Sequence, residues 1–404
     1  MKIVIILVSV SFSTLCYSQW NGIYFHADQE SAIAVINKDT IVTVANDGGR
    51  IHRSTDGGQN WSFYQTVFSE AFLDIDFPTN LVGYACGGSS FGLHKEFIAK
   101  TTDAGQTWDS LTSDANGSFY YFTKIRFINA DTGFVAPMVG ELQKTVDGGT
   151  TFTQIPLIDP QMLSVNEIAI KPNNEIFVVV RLTQGPGITS YSIFSSDDLG
   201  SNWTSVYTGD NTSISKIFFV NNSIGYAVGG NGLFLKTTDG GASWTSSWIN
   251  PYTGLTGLHF TSPEVGYINN AGGIYRTEDG GISWTVQNIS PLTIIRQIKF
   301  ANDTIGYALG DGIYKTTNGG VILSVNEADN KAHFTIYPNP SSDKIFIQPL
   351  DETIKSLAIY NQLGQKIKEF EASDEIDVSF LLKGIYLLEI KTDKHQSIKR
   401  FVKE

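Results

Sequence analysis

Eight polar side chains occupy equivalent places beside short apolar Ile/Phe pairs: Asp74, Asp76, Lys124, Arg126, Glu167, Lys216, His259 and Lys299. Two carboxylates suffice for acid/base attack on a glycosidic bond, and clustered Lys and Arg would hold an anion or a sugar. The same residues can also pair with one another between neighbouring elements, Asp76 with Arg126 for instance. Structural ion pairs are common, so this is their expected use. Gly88-Ser89-Ser90-Phe91-Gly92 fits Gly-x-Ser-x-Gly, but in a predicted hairpin turn rather than a strand-to-helix elbow. The His residues show no metal-ligand spacing, and no Gly-rich loop ends in Lys-Ser/Thr. The expectation is no catalytic residue, no metal site and no cofactor.

The elements that position these side chains are written in a repeat. The phrase Ser/Thr-x-Asp-x-Gly-x-x-Trp recurs around Asp56, Asp103, Asp147, Asp198, Asp239 and Asp279, then around Asn318 with Asn in place of Asp. The steps of 47, 44, 51, 41, 40 and 39 residues suit a four-stranded β unit. In the fifth unit the predicted strands are 214–220, 225–229, 233–237 and 244–248, with Asn231-Gly232 at one hairpin. Within a turn, the carboxylate accepts backbone N–H groups, Gly supplies positive φ, and Trp carries an apolar face into the sheet junction. The seven boxes are therefore structural.

Composition agrees with an all-β protein: 404 residues, 39 Gly, 12% aromatic and 17% charged. A net charge of −12 argues against nucleic acid as partner. Residues 1–18, with an apolar run from Ile3 to Val10, read as a signal peptide cleaved before Gln19, which leaves Cys86 without a disulfide partner. No later segment is apolar for long enough to span a bilayer.

The boxes resemble the Asp boxes, or bacterial neuraminidase repeats, of β-propellers. The full unit is similar to the seven-bladed propellers of photosystem II assembly factors and to sortilin-type repeats, over residues 19–325. The resemblance implies seven blades. The seventh box ends Gly320-Val321-Ile322-Leu323 without an aromatic, and 19–25 read as an outer strand lacking a box, so the N-terminal strand is expected to complete the seventh blade. Sialidases share such boxes but require an arginine triad. The propeller has Arg50, Arg53, Arg126, Arg181, Arg276 and Arg296, without an Arg-Ile-Pro segment.

After a linker at 326–332, residues 333–404 read as a small Ig-like β-sandwich. Tyr337-Pro338-Asn339-Pro340, Gly384, Tyr386 and the basic end Lys399-Arg400-Phe401-Val402-Lys403 resemble the C-terminal sorting domain of type IX secretion in Bacteroidota-type bacteria. That resemblance implies the type IX machinery as a partner and a secreted or cell-surface location. It also makes photosystem assembly a poor expectation for this chain.

On the face opposite the boxes, Phe91, His94, Tyr120, Tyr121, Tyr191, Trp248 and Tyr252 are a candidate binding set, since loops on a rigid scaffold carry function. The expectation is a non-enzymatic recognition or adhesion protein with an extracellular glycan or protein ligand. The alternative is an extracellular glycan-processing hydrolase, sialidase-like or another glycosidase.

Overall fold

The computed structural model describes residues 19–24, 29–67, 71–89, 96–112, 121–156, 158–185, 188–249, 254–270, 273–290, 294–321, 334–349, 353–361, 365–392 and 396–404. The chain divides between Gly320 and Val321 into two compact units. Among the described residues the first contains seven sheets, six of them built from four consecutive antiparallel strands and the seventh taking in the N-terminal strand as well. Their first strands are Glu30–Val35, Phe72–Asp76, Phe122–Phe127, Met162–Ile170, Ile214–Phe219, Gly257–Phe260 and Gln297–Phe300. Each touches the first strand of the next sheet, and the last touches the first. The unit is a closed seven-bladed propeller, and these strands line its axis.

Hydrophobic patterning explains the layering. The second strands, such as Gly83–Gly87 and Gly225–Gly229, are buried along their whole length because blades press on both faces. Their aromatics Tyr84, Tyr226, Tyr267 and Tyr307 are fully buried. The core lies between blades: Val42, Val44 and Ile51 of the first blade pack with Phe72, Phe97 and Trp108 of the second.

The ring is closed by the N-terminal strand. Trp20–Tyr24 pairs antiparallel with Ile313–Thr316 and parallel with Ile289–Ser290, so it supplies the outer part of the seventh blade. The expected clasp is present. It also repairs the defective seventh box. In three other boxes the aromatic N–H donates to the second Gly carbonyl, Trp61 Nε1 to Gly58 at 3.1 Å, Trp108 Nε1 to Gly105 at 3.2 Å and Trp284 Nε1 to Gly281 at 3.1 Å. At Gly320 that carbonyl accepts from Gln19 Nε2 at 2.6 Å, and fully buried Trp20 lies against the same glycine.

Within each box the Ser/Thr hydroxyl donates to the box acid or Asn318 at 2.7–3.0 Å and accepts the N–H of the residue four places on at 2.8–2.9 Å. Asp239 then accepts the Ser243 N–H at 3.0 Å and its hydroxyl at 2.5 Å. The box also reaches the preceding blade. The carbonyl after each box acid accepts a donor from that blade: Arg53 to Ala104 at 2.9 Å, Lys100 to Gly148 at 3.1 Å, Lys144 to Leu199 at 3.1 Å and Lys236 to Gly280 at 3.0 Å. Lys171 reaches Gly240 at 2.9 Å, Tyr267 reaches Gly319 at 2.6 Å, and Lys315 closes the circle on Gly57 at 2.8 Å. A side chain at Gly148, whose φ is +70°, would place Cβ 2.5 Å from Lys100 Nζ, so glycine there protects the staple.

The second unit is a sandwich of two sheets. One comprises Phe334–Tyr337, Lys344–Pro349 and Glu375–Asp377; the other has Lys366–Glu371, Ile354–Tyr360, Gly384–Thr392 and Gln396–Lys403 in spatial order. Phe334, Ile345 and Ile347 meet Leu357, Leu388 and Phe401 in its core. The Tyr337-Pro338-Asn339-Pro340 turn, with both prolines after cis peptides, anchors the last strand. Asn339 accepts the Val402 N–H at 2.9 Å and donates to the Arg400 carbonyl at 3.0 Å. Gly384 pairs with Lys403, and Tyr386 stacks on Phe401 at 5.6 Å while donating to Leu382 at 2.8 Å.

Candidate functional site

An innermost propeller strand has one unpaired edge facing its neighbour, and buried N–H groups there need acceptors. The polar residues singled out on these strands meet that need. Asp74 Oδ2 accepts the Ile125 N–H at 3.1 Å, Asp76 Oδ2 accepts the Phe127 N–H at 2.8 Å, and Gln297 Oε1 accepts the Ile33 N–H at 3.2 Å. Asp74 and Asp76 are two residues apart and so share a face of the strand. Their side chains fasten the second blade to the third.

Around the axis these residues border a cavity of about 300 Å³, whose walls include Asp74, Asp76, Arg126, Glu167, Lys216 and Lys299. Arg126 is its central cation. It donates to Asp74 Oδ2 at 2.6 Å and to Glu167 Oε1 at 3.2 Å, and Lys216 Nζ donates to the other Glu167 oxygen. The pair expected between Asp76 and Arg126 is not made. Asp74 takes the guanidinium instead, while Asp76 is held by the Phe127 backbone. A chain of ion pairs, Asp74–Arg126–Glu167–Lys216, thus crosses three blade junctions.

The electrostatics follow from this packing. Burial alone would raise the Glu167 carboxyl, but Lys216 and Arg126 outweigh it and bring the group down to about 2. Burial raises Asp76 above its ordinary value, only partly opposed by Arg126. Lys299 makes no hydrogen bond or ion pair among the described residues, and burial, with Arg126 and Lys216 nearby, lowers its ammonium to about 8. His259 is pushed down to about 3 by burial and then by Lys299, so it is neutral at pH 7. Its ring stacks on Phe300 at 5.6 Å. Lys124 lies on the same strand as Arg126 but outside the cavity lining.

The loop set is less assembled. Phe91, His94, Tyr120 and Tyr252 lie outside the described residues, as do the signal-peptide segment 1–18, the linker 326–332 and part of the Gly88–Gly92 turn. Tyr121 precedes the third blade's first strand, and its carbonyl accepts the Met138 N–H at 2.8 Å. Trp248 is 59% exposed at the end of its strand away from the box. Tyr191 is a strand residue packed against the core between the fourth and fifth blades, rather than a loop residue.

Sequence reasoning missed a buried pair, Glu30 and His52, 2.7 Å apart in the first blade. Glu30 opens the first strand of the blade and His52 lies midway along the third, and only the register of the hairpins between them brings them together. Among the described residues no cluster of His, Cys, Asp and Glu is placed to hold a metal, and no helix is long and apolar enough to cross a membrane.

No curated protein matches the chain. Among solved structures, YCF48 bound to D1 peptide is 18% identical, covering 75% of this chain and 97% of that one with a TM-score of 0.60. YCF48 from Cyanidioschyzon merolae is 15% identical, with coverages of 74% and 98% and a TM-score of 0.57. The extracellular domain of a putative hybrid two component system from B. thetaiotaomicron is 12% identical, with coverages of 93% and 57% and a TM-score of 0.56. At these identities the likeness concerns the fold. The family model for the secretion system C-terminal sorting domain matches residues 335–404, which indicates export by type IX secretion to the cell surface or the extracellular space. The model for photosynthesis system II assembly factor YCF48 matches residues 58–166 and 190–304, more than half of the chain, and the protein therefore belongs to that β-propeller family.

Proposed function

We propose that the propeller is a non-catalytic recognition module working outside the cell, with its central channel as the ligand-facing site. The observation that carries this reading is the use made of the channel carboxylates. Asp74 and Glu167 are spent on Arg126 and Lys216, and Asp76 on a backbone N–H. Hydrolysis of a glycosidic bond needs one carboxyl to donate a proton and a second to act as base or nucleophile, and no second carboxylate here is unengaged. The sorting domain supports the location. A similar propeller is solved with a peptide bound, which supports a protein or peptide among the ligands to be tried. The test is a panel of peptides and glycans offered to the purified full chain. Saturable binding without turnover, weakened by Lys216→Met, is the expected result; binding indifferent to channel substitutions overturns the reading.

One observation favours glycan hydrolysis as a second reading. Asp76 is raised and Glu167 lowered within one cavity, and acid and base carboxyls are separated in this way in glycosidases. Turnover of any glycan that Asp76→Asn abolishes would establish it.

A further inference from the structure

We infer that Lys299 is the contact for a carboxylate-bearing ligand in the central channel. The inference rests on the channel being the recognition site and adds the chemistry it recognises. The cavity wall carries three cations, Arg126, Lys216 and Lys299, and three acids, Asp74, Asp76 and Glu167. Partnering rather than net charge decides which cation can receive a ligand. Arg126 is held by Asp74 and Glu167, and Lys216 by Glu167. Asp76 accepts a backbone N–H, and Gln297, two residues before Lys299, is committed to the first blade. His259 is neutral and adds no further cation. Lys299 is therefore left on the cavity wall with no acceptor among the described residues, whereas Lys124 does not line the cavity.

A half-buried amine in this position lacks the partner that an ammonium withdrawn from water needs. A carboxylate is the simplest group to supply it, through a charge-assisted hydrogen bond. A cavity of about 300 Å³ is at the small end of ligand pockets. It suits one carboxylated headgroup rather than an extended chain.

Proton linkage separates this site from a generic basic patch. Burial, Arg126 and Lys216 together hold the Lys299 ammonium near 8. A carboxylate seated on it would raise it again, so binding draws a proton from solvent wherever the free amine is partly neutral. At pH 8 about half the amines are neutral, so uptake approaches roughly half a proton per ligand, and it falls toward zero at pH 6.

The experiment is calorimetric titration of the full chain with glucuronate and with acetate, using glucose as the neutral comparison, in buffers of different ionisation enthalpy at pH 6 and 8. Saturable binding of the two carboxylates but not of glucose is expected, with proton uptake only at pH 8. Lys299→Met, shown by melting to be folded, should weaken binding by roughly tenfold or more. Lys299→Arg should bind without proton uptake. Failure of both carboxylates to bind, equal binding to Lys299→Met, or uptake that persists in Lys299→Arg overturns the inference. If the carboxylates fail while a peptide or glycan of the wider panel still binds in a channel-dependent manner, recognition stands and only the carboxylate inference falls.

Discussion

Lys315 Nζ in the seventh blade donates to the Gly57 carbonyl in the first Asp box at 2.8 Å, linking residues 258 positions apart in the sequence. The contact repeats a local rule across the closure of the ring. A box turn leaves the carbonyl after its acid pointing at the neighbouring blade, and that blade answers with a donor. Six of these seven donors are Arg or Lys, and the remaining one is the Tyr267 hydroxyl. Each box is thus both a closed turn and a socket.

Because this staple joins the two ends of the ring, Lys315→Met should cost more than Lys144→Met, whose contact with Leu199 is solvent-exposed. Hydrogen bonds to charged groups contribute about 1.5–3 kcal/mol. Urea unfolding is expected to show a loss of about 1–2 kcal/mol for Lys315→Met and under about 0.5 kcal/mol for Lys144→Met. Equal losses would show that closure gives this staple no special weight.

The clasp predicts a larger effect. Trp20 is fully buried and packs edge-on against Tyr267 and Phe300, with centroids 6.2 and 5.7 Å away. Truncating such a side chain leaves a cavity and typically costs about 3–5 kcal/mol. Trp20→Ala should lower the melting temperature of the whole propeller in one cooperative step. A variant melting like the parent, or losing only the seventh blade, would contradict closure by this strand.

Much of this architecture was legible because it is periodic. Box spacing marks the blades, and Leu323 in place of the box aromatic together with the orphan Trp20 marks the clasp. The staple donors also follow a pattern in the sequence: Arg53, Lys100, Lys144, Lys236 and Lys315 each stand three residues before a box position. Two blades depart from it: in the fourth Ser195 stands there and Lys171 takes over from a different strand, and in the sixth Arg276 donates to Tyr267, whose hydroxyl makes the contact. The channel pairing was not legible in this way. Asp74 and Asp76 share a face, and the choice between them for Arg126 depends on the stagger between two blades, which no local pattern encodes. Glu30 and His52, within one blade, escaped because only the register of the hairpins between them brings them together.

The Arg126 cluster makes a prediction that distinguishes a pair from its surroundings. Arg126→Met leaves Asp74 and Glu167 buried without their shared cation, and breaking a buried pair from one side costs about 3–5 kcal/mol. Replacing Asp74 by Asn as well removes one stranded charge while keeping an acceptor for the Ile125 N–H. The double variant should be more stable than Arg126→Met alone. Additive losses in denaturant unfolding would instead show that Asp74 and Arg126 act independently.

Acid stability tests the boxes together. Hydrogen bonds from Asn60, Thr151, Asn202 and Ser283 hold Asp56, Asp147, Asp198 and Asp279 down to about 2, below their ordinary 3.8. A carboxyl lowered on folding contributes stability that is complete above its unfolded value and is lost as the pH falls through its folded value. Glu167 acts in the same sense. Asp76, raised by burial, acts in the opposite sense and offsets part of the loss. The melting temperature should therefore stay nearly level down to about pH 4.5 and fall between about pH 4 and 2. Asp147→Asn retains an oxygen for Thr145 and the Thr151 N–H, and the Thr151 hydroxyl can turn to accept from the new amide. That variant should fold, and its melting temperature should fall less steeply below pH 4. The seventh box supports this expectation, since Asn318 closes its turn with no proton to gain. An unchanged acid slope in Asp147→Asn would mean that the box carboxylates do not control acid unfolding.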